Sequence, residues 1–339
     1  MPQNDECKVS VLITFYNQKD YVEQCLSSVI NQKTDFPFEV LCGDDNSDDG
    51  TYEELLNWQS RYSGVITVFR TDEDRHDISE PIIRASHNRL KLLENAKGRY
   101  VCFLDGDDYF SDLNKLQKQT DVLEKFPGIT GCFHPLKLKW DDGSHSDVIY
   151  SNYSEKAFTV SNKSYWGNLW SHAGTFMFRN IDKSQTGKIN KDFFDDNLIT
   201  AAFIGTGRIM YIPDVMEIYR QTSGSSWNKR SDLQKNYINL LVYQEAKKAL
   251  PGMRLQSFIK CYDCIKFFFD NRNTDIDNTS DSDLVLNESI YLDTIRYGRS
   301  GAGFRFVYTI KWSLKIFFGF LMKKISYKIH LLSRKYIQL

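Results

Sequence analysis

Residues 100–110 read YVCFLDGDDYF. An apolar and aromatic run ends in Asp105, Asp107 and Asp108, with only Gly106 between them. A short apolar run closed by a turn signal reads as a buried strand. Three carboxylates at its end repel one another, so they need a helix N-terminus to cap or a cation to face.

Working outward, the preceding hundred residues alternate strand and helix signals. KVSVLIT (8–14) is a β-branched run, and Val22, Cys25, Leu26, Val29 and Ile30 then recur at helical spacing. FEVLCGDD (38–45) and VITVFR (65–70) read as further strands, TYEELLNWQSRY as a helix, and Pro81 to Ala96 as another. Such alternation predicts an α/β fold with a mostly parallel sheet. In open sheets of this kind ligands sit beyond the carboxyl ends of the strands. The polar clusters fall there: Thr14 to Asn17, Asp44 to Asp49, and Asp105 to Asp108.

Downstream, ITGCFHPLKLKW (129–140) and GTFMFR (174–179) read as strands, DDNLITAAFIGTG as a helix, and RIMYIP and MEIYR as short strands. This mixture predicts an extension of the sheet with an antiparallel element. After residue 230 the pattern is mainly helical. The expected organisation is one domain over 1–230, in halves 1–110 and 111–230, and a helical region over 231–339.

Composition sets limits on function. The 339 residues carry 43 Lys and Arg against 44 Asp and Glu, a net charge of -1, which predicts no nucleic-acid partner. The start, MPQNDECKVS, lacks a basic segment followed by an apolar core, so no signal peptide is expected. Seven scattered cysteines suit a reducing cytoplasm. Cys261 and Cys264 form a lone CxxC without a second ligand pair, and read as helical core residues rather than a zinc site. From Thr294 to Leu339 there is no Asp or Glu, while lysines alternate with Trp312, Phe317, Phe318 and Phe320. The uncharged run IFFGFLM is far shorter than the roughly 20 residues of a spanning helix. Residues 304–339 therefore read as a basic amphipathic segment for a membrane surface, against the alternative of a helix packed on the catalytic domain. The expected location is the cytoplasmic face of the membrane. Oligomeric state is not encoded in any motif.

The acidic clusters carry the chemistry. Ser47 to Glu54 reads as a turn and a capped helix start. Asp44 and Asp45 lie before that turn, where a carboxylate can accept from a base N–H or a ribose hydroxyl. The first loop, TFYNQKD, has no GxGxxG, which argues against a dinucleotide. Asp105 and Asp107 form a D-x-D; Mg²⁺ and Mn²⁺ bind through one or two carboxylates plus substrate phosphates.

The order VSVLITFYNQKDYVEQCLSSVINQ, FEVLCGDDNSDDGT, GRYVCFLDGDDYF and FFDDNLITAAFIGTGRIMYIPDVMEIYR resembles glycosyltransferase family 2 across residues 8 to 230. The resemblance implies a GT-A type fold and inverting transfer from a nucleotide-sugar with a divalent metal, Mn²⁺ or Mg²⁺. By position it implies Thr14 and Tyr16 at the nucleobase and Asp45 on the base with Asp44 beside it. Arg84 and Asn88 would be polar donor contacts, Asp107 the metal ligand, and Asp105 on the ribose, sugar or metal. Asp195 and Asp196 match an acidic pair at a helix start, with Asp196 as catalytic base. Asp108 is expected only to cap a helix starting near Ser111. His172 falls on the acceptor side, as a sugar or phosphate contact or a structural residue. The chain departs from the pattern in Asp195, usually Glu, and in Thr222, where many relatives carry His. It has no Q-x-x-R-W, which argues against a processive synthase. A lipid-linked or cell-surface glycan is the expected acceptor. Two other readings compete. One is a haloacid-dehalogenase-like phosphatase, disfavoured by Tyr109 after the acidic turn and by the motif's place at the fourth strand. The other is a non-catalytic nucleotide-sugar-binding protein on the same fold.

Overall fold

The computed structural model describes residues 7–71, 81–162, 164–165, 169–180, 192, 194–205, 207–222, 225, 227 and 229–249, with six positions between 257 and 267. All fall in one compact unit, Met1–Phe268; the unit Phe269–Leu339 lies outside the described residues, and the basic segment 304–339 with it.

The first half follows the predicted alternation: β1 (Val9–Phe15), α1 (Lys19–Ile30), β2 (Phe38–Asp44), α2 (Thr51–Arg61), β3 (Ile66–Arg70), α3 (Pro81–Asn95) and β4 (Tyr100–Asp105). β3, β2, β1 and β4 lie side by side and parallel. Both faces of this sheet are covered, and β1 divides by period two. Val9, Val11, Ile13 and Phe15 pack with Val22 and Leu26 of α1 and Leu55 of α2. Leu12 packs on the other face with Leu92 and Leu93 of α3. That double burial is why these strands read as continuous apolar runs.

The second half comprises β5 (Tyr109–Phe110), α4 (Lys115–Lys125), β6 (Ile129–Phe133), β7 (Leu136–Trp140), β8 (Val148–Tyr150), β9 (Phe158–Ser161), β10 (Met177–Arg179), α5 (Asp196–Ile204), β11 (Arg208–Tyr211), β12 (Glu217–Gln221) and α6 (Asp232–Ala249). The main sheet has the order β3-β2-β1-β4-β10-β6-β11-β9, and β10 is the expected antiparallel element, between β4 and β6. A second sheet, β5-β12-β7-β8, stands beside it.

Three expectations are corrected. The stretch 129–140 is two strands in different sheets, broken at His134–Pro135, where proline offers no N–H to a ladder. In GTFMFR, Gly174 and Thr175 belong to a 3₁₀ turn, Ala173–Thr175, and only Met177–Arg179 is strand. No helix starts near Ser111: α4 begins at Lys115, and Asn114 holds the capping position.

α6 packs into the main core, with Val242 and Ala246 buried in the same cluster as Phe203 of α5. Cys261 and Cys264 are buried free thiols beside Leu240, in keeping with the core reading. No helix among the described residues is long and apolar enough to cross a membrane.

Candidate active site

The carboxyl ends of β1, β2 and β4 finish level. Thr14 is in register with both Gly43 and Asp105, and Phe15 with Asp44. A cavity of about 670 Å³ opens above them, lined among others by Thr14, Tyr16, Asp45, Arg84, Asn88, Arg89, Asp105, Asp107, Trp170, His172, Asp195, Asp196 and Tyr219. Two close approaches set its floor. Gly106 turns the chain against Phe15, whose ring would lie 2.2 Å from any Cβ there. Gly43 lies against Asn88, whose Oδ1 would be 2.0 Å from a Cβ.

At one end the residues expected at the nucleotide come together. Arg84 pairs with Asp45 at 3.1 Å and lies over the exposed Tyr16 ring, 4.3 Å from its centroid. Two predicted contacts are held otherwise. Asp44 is fully buried and does not line the cavity; it accepts from Ser47 N–H at 3.1 Å and faces Arg70 at 3.4 Å. Burial raises its pKa, against the opposing pull of Ser47 and Arg70. Asn88 reaches the cavity, but its amide donates to the Gly43 carbonyl at 2.8 Å, so it ties α3 to β2.

In the middle stands the acidic turn. Asp105 accepts from Thr14 Oγ1 at 3.1 Å and from Arg89 at 3.0 Å, and its second oxygen is 3.4 Å from His172 Nε2. Burial would raise its pKa; Arg89 and His172 together hold it below the usual carboxylate range. Asp107 lines the cavity with no paired cation among the described residues. Burial, and then the charge of Asp105, push it up to about 6. Asp108 turns inward. Its Oδ1 accepts from the Arg220 N–H at 2.8 Å, and its buried Oδ2 has no hydrogen-bond partner. It therefore caps no helix. Burial and then Asp107 raise its pKa well above the ordinary value.

At the far end Asp195 is the N-cap of α5, accepting from Leu198 N–H at 2.9 Å and from the Asn197 amide at 3.2 Å. Burial and the Asp196 charge push it up to about 7. Asp196 lines the cavity beside it, 3.4 Å from Arg89 and 3.9 Å from His172 Nε2.

His172 sits at the centre of this array. It is buried and stacked on Tyr219 at 4.2 Å between centroids, and its Nδ1 meets Glu217 at 2.9 Å and Asp108 at 3.8 Å. Burial would lower its pKa; hydrogen bonds to Asp105 and Glu217 raise it well above 6.5, so it stands as imidazolium. It lines the cavity, and its polar contacts are with the acidic array.

Arg89 and Glu217 were missed from the sequence. Arg89 follows Asn88 in α3 and reads as one more basic residue of a surface helix. Glu217 opens a short strand and is fully buried. The available signals were a second arginine five residues beyond Arg84 in the same helix and an acid between Met216 and Ile218.

Among the described residues, Asp105, Asp108 and His172 have ligand atoms within 4.8 Å of one another; an imidazolium has no lone pair to give, so the carboxylates are the donors for a divalent cation. Asp107, the expected ligand, is not in that group, yet it faces the cavity unpaired. The unpartnered Asp108 oxygen, the raised Asp107 and a donor set rich in carboxylate oxygen all suit Mg²⁺ or Mn²⁺. The residues fit such an ion.

The model of the family described as "Glycosyl transferase family 2" matches residues 10–183. The chain belongs to glycosyltransferase family 2. An uncharacterized protein of Mycobacterium tuberculosis is 28% identical over 225 residues, covering 65% of this chain and 60% of that protein. The chain thus spans about 60% of the length of that family relative. A putative teichuronic acid biosynthesis glycosyltransferase of Bacillus subtilis is 36% identical over 182 residues, 53% of this chain and 64% of that protein. Among solved structures, residues 1–349 of S. aureus TarS in complex with UDP-GlcNAc superpose with a TM-score of 0.54 at 20% identity, covering 78% of this chain and 74% of that one. The family fold is therefore the expected GT-A type.

Arg89→Met strands Asp105 and Asp196 beside one fewer cation. Breaking such a buried pair costs about 3–5 kcal/mol, and Arg89→Lys, which keeps the charge but not the fork, should cost less. Urea unfolding of both variants measures this; equal stability of Arg89→Met and wild type would disprove the pairing.

Proposed function

We propose that the protein is an inverting, metal-dependent glycosyltransferase. It would move a sugar from a nucleotide-sugar, a UDP-sugar in our reading, to a hydroxyl of a lipid-linked or cell-surface glycan. The supporting observation is the placement along one cavity of the Tyr16–Arg84–Asp45 group, the D-x-D acids and Asp196. The UDP-GlcNAc complex of TarS supports the donor class, and the name of the B. subtilis relative supports surface polysaccharide as the context.

In this reading Tyr16, Asp45 and Arg84 bind the nucleoside and Thr14 braces Asp105. Asp107 with Asp105 would hold a divalent cation, which when bound would supply positive charge against the departing diphosphate. Asp196 accepts the proton of the acceptor hydroxyl as that oxygen attacks the anomeric carbon and the bond to the diphosphate breaks. Attack opposite the leaving group inverts the carbon. Asp195 is less suited as base, because both its oxygens already accept hydrogen bonds. Arg89 and His172 fix Asp196, which a base needs in order to meet its hydroxyl at about 2.6–3.2 Å.

The deciding experiment is a panel of nucleotide-sugars read by nucleoside diphosphate release, with Mn²⁺, Mg²⁺ or a chelator. UDP-sugars should be consumed with metal and not with chelator. Consumption of no donor would favour a non-catalytic binding protein, and equal rates in chelator would remove the metal. Asp196→Asn should lower turnover about 10²–10⁴-fold with donor affinity retained; near-normal turnover would reassign the base.

The segment 304–339 we assign to a membrane surface, on its lysine and aromatic content and lack of acids. This would put the enzyme at the cytoplasmic face, beside a lipid-linked acceptor. The chain ending at residue 303 should lose sedimentation with anionic vesicles; unchanged sedimentation would return the segment to a packing role.

A further inference from the structure

An aromatic wall beside the cavity has no part in the donor chemistry. Trp170 lines the cavity and keeps 38% of its surface exposed. The exposed part of the indole forgoes the burial that large aromatic rings usually find. Its backbone is pinned: the Trp170 main-chain N–H donates to the Tyr153 hydroxyl at 2.7 Å, and that hydroxyl donates to the Trp170 carbonyl. The indole meets the Tyr150 ring edge-on, 5.4 Å between centroids. Tyr150 is itself 44% exposed and ends β8, the edge strand of the second sheet. A pre-set, half-bare aromatic pair thus runs from the cavity to the outside.

Its side of the cavity follows from the chain. Trp170 lies two residues before His172, whose Nε2 is 3.9 Å from Asp196. The nucleotide group lies instead on β1, β2 and α3. Trp170 and Asp196 line the same cavity, which leaves the indole open to a molecule that brings its hydroxyl to Asp196. Asn197, Arg230 and Asn239 line the same cavity. An aromatic face with amide and guanidinium neighbours complements a ligand that is apolar on its flat face and rimmed with hydroxyls. An alkyl chain brings no hydroxyl to polar neighbours of this kind.

We propose that Trp170, backed by Tyr150, is the platform on which a sugar ring of the acceptor stacks. This rests on the sugar-transfer reading above and names how its acceptor is recognised: by a saccharide unit, not by its lipid.

The test uses the full chain as wild type, Trp170→Ala and Trp170→Phe. Methyl and dodecyl glycosides of the same hexose and N-acetylhexosamine serve as probe acceptors, with the donor found by the panel. Acceptor KM should rise about tenfold in Trp170→Ala, equally for methyl and dodecyl probes, with donor KM unmoved. Trp170→Phe should recover most of the loss. An unchanged acceptor KM, or a loss confined to the dodecyl probes, would overturn the proposal. Saturation-transfer NMR of the methyl glycosides reads binding without turnover. Binding that wild type shows and Trp170→Ala loses supports the platform even if no donor is consumed, in which case the transfer reading alone fails. Binding equal in both proteins, or absent from wild type, removes the platform.

Discussion

Like charge at close range is the constraint on which the site depends. Asp105, Asp107, Asp108, Asp195, Asp196 and Glu217 converge where the strands end. At about 4 Å two unit charges interact by roughly 4 kcal/mol for an effective dielectric near 20, so a cluster of six acids needs compensation. Two cations supply it, and both act between elements. Arg89 on α3 bridges Asp105 at the end of β4 and Asp196 at the start of α5. His172 reaches those same two acids with one nitrogen and Glu217 with the other. The carboxylates that would drive the halves of the site apart are what the cations use to join them.

Compensation is uneven, and this separates the acids by role. Asp105, against both cations, is held as carboxylate. Asp107 and Asp195, farther from them, are pushed up to about 6 and about 7. Asp195 has a structural outlet in the end of α5, where a helix N-terminus favours negative charge. Asp107 has none within the described residues, and a divalent ion is the partner its surroundings suit. The same accounting makes Asp44 structural, since Ser47 and Arg70 already occupy it.

Much of the first half was legible because local pattern and tertiary environment agree there. Strands buried on both faces give unbroken apolar runs, and strand ends give polar clusters at regular intervals. That placed Thr14, Tyr16, Asp45, Asp105 and Asp107 on the cavity, while Asp196, in the second half, followed from the family resemblance alone. What was not legible depends on contacts distant in sequence. Arg89 looks like a solvated helix residue until β4 and α5 are beside it. Glu217 looks like an edge-strand acid until His172 meets it. Asn88 matched a donor-contact position, but Gly43, lacking a side chain, leaves a carbonyl within its reach. α4 was read only as a helix starting near Ser111, four residues early, because Lys115 and Gln119 are buried polar residues that hydrogen-bond each other at 2.8 Å, which blurs its apolar stripe. β5, of two residues, carries no periodicity at all.

That two-residue strand decides which acid of the turn faces outward. Asp107 and Asp108 lie in the turn just before β5, and they part ways there: Asp107 lines the cavity and Asp108 is buried. β12 fastens β5 through the Ile218–Tyr109 and Glu217–Phe110 registers. The backbone N–H of Arg220, in the same strand, then takes the Asp108 carboxylate inward. Gly106, pressed against Phe15, leaves the turn no room to slide. Asp107 is left to the cavity. Asp108 is thus part of what aims Asp107, and the strand that holds it also carries Glu217, the anchor of His172. The acidic turn and the imidazolium that compensates it are set by one short strand, β12.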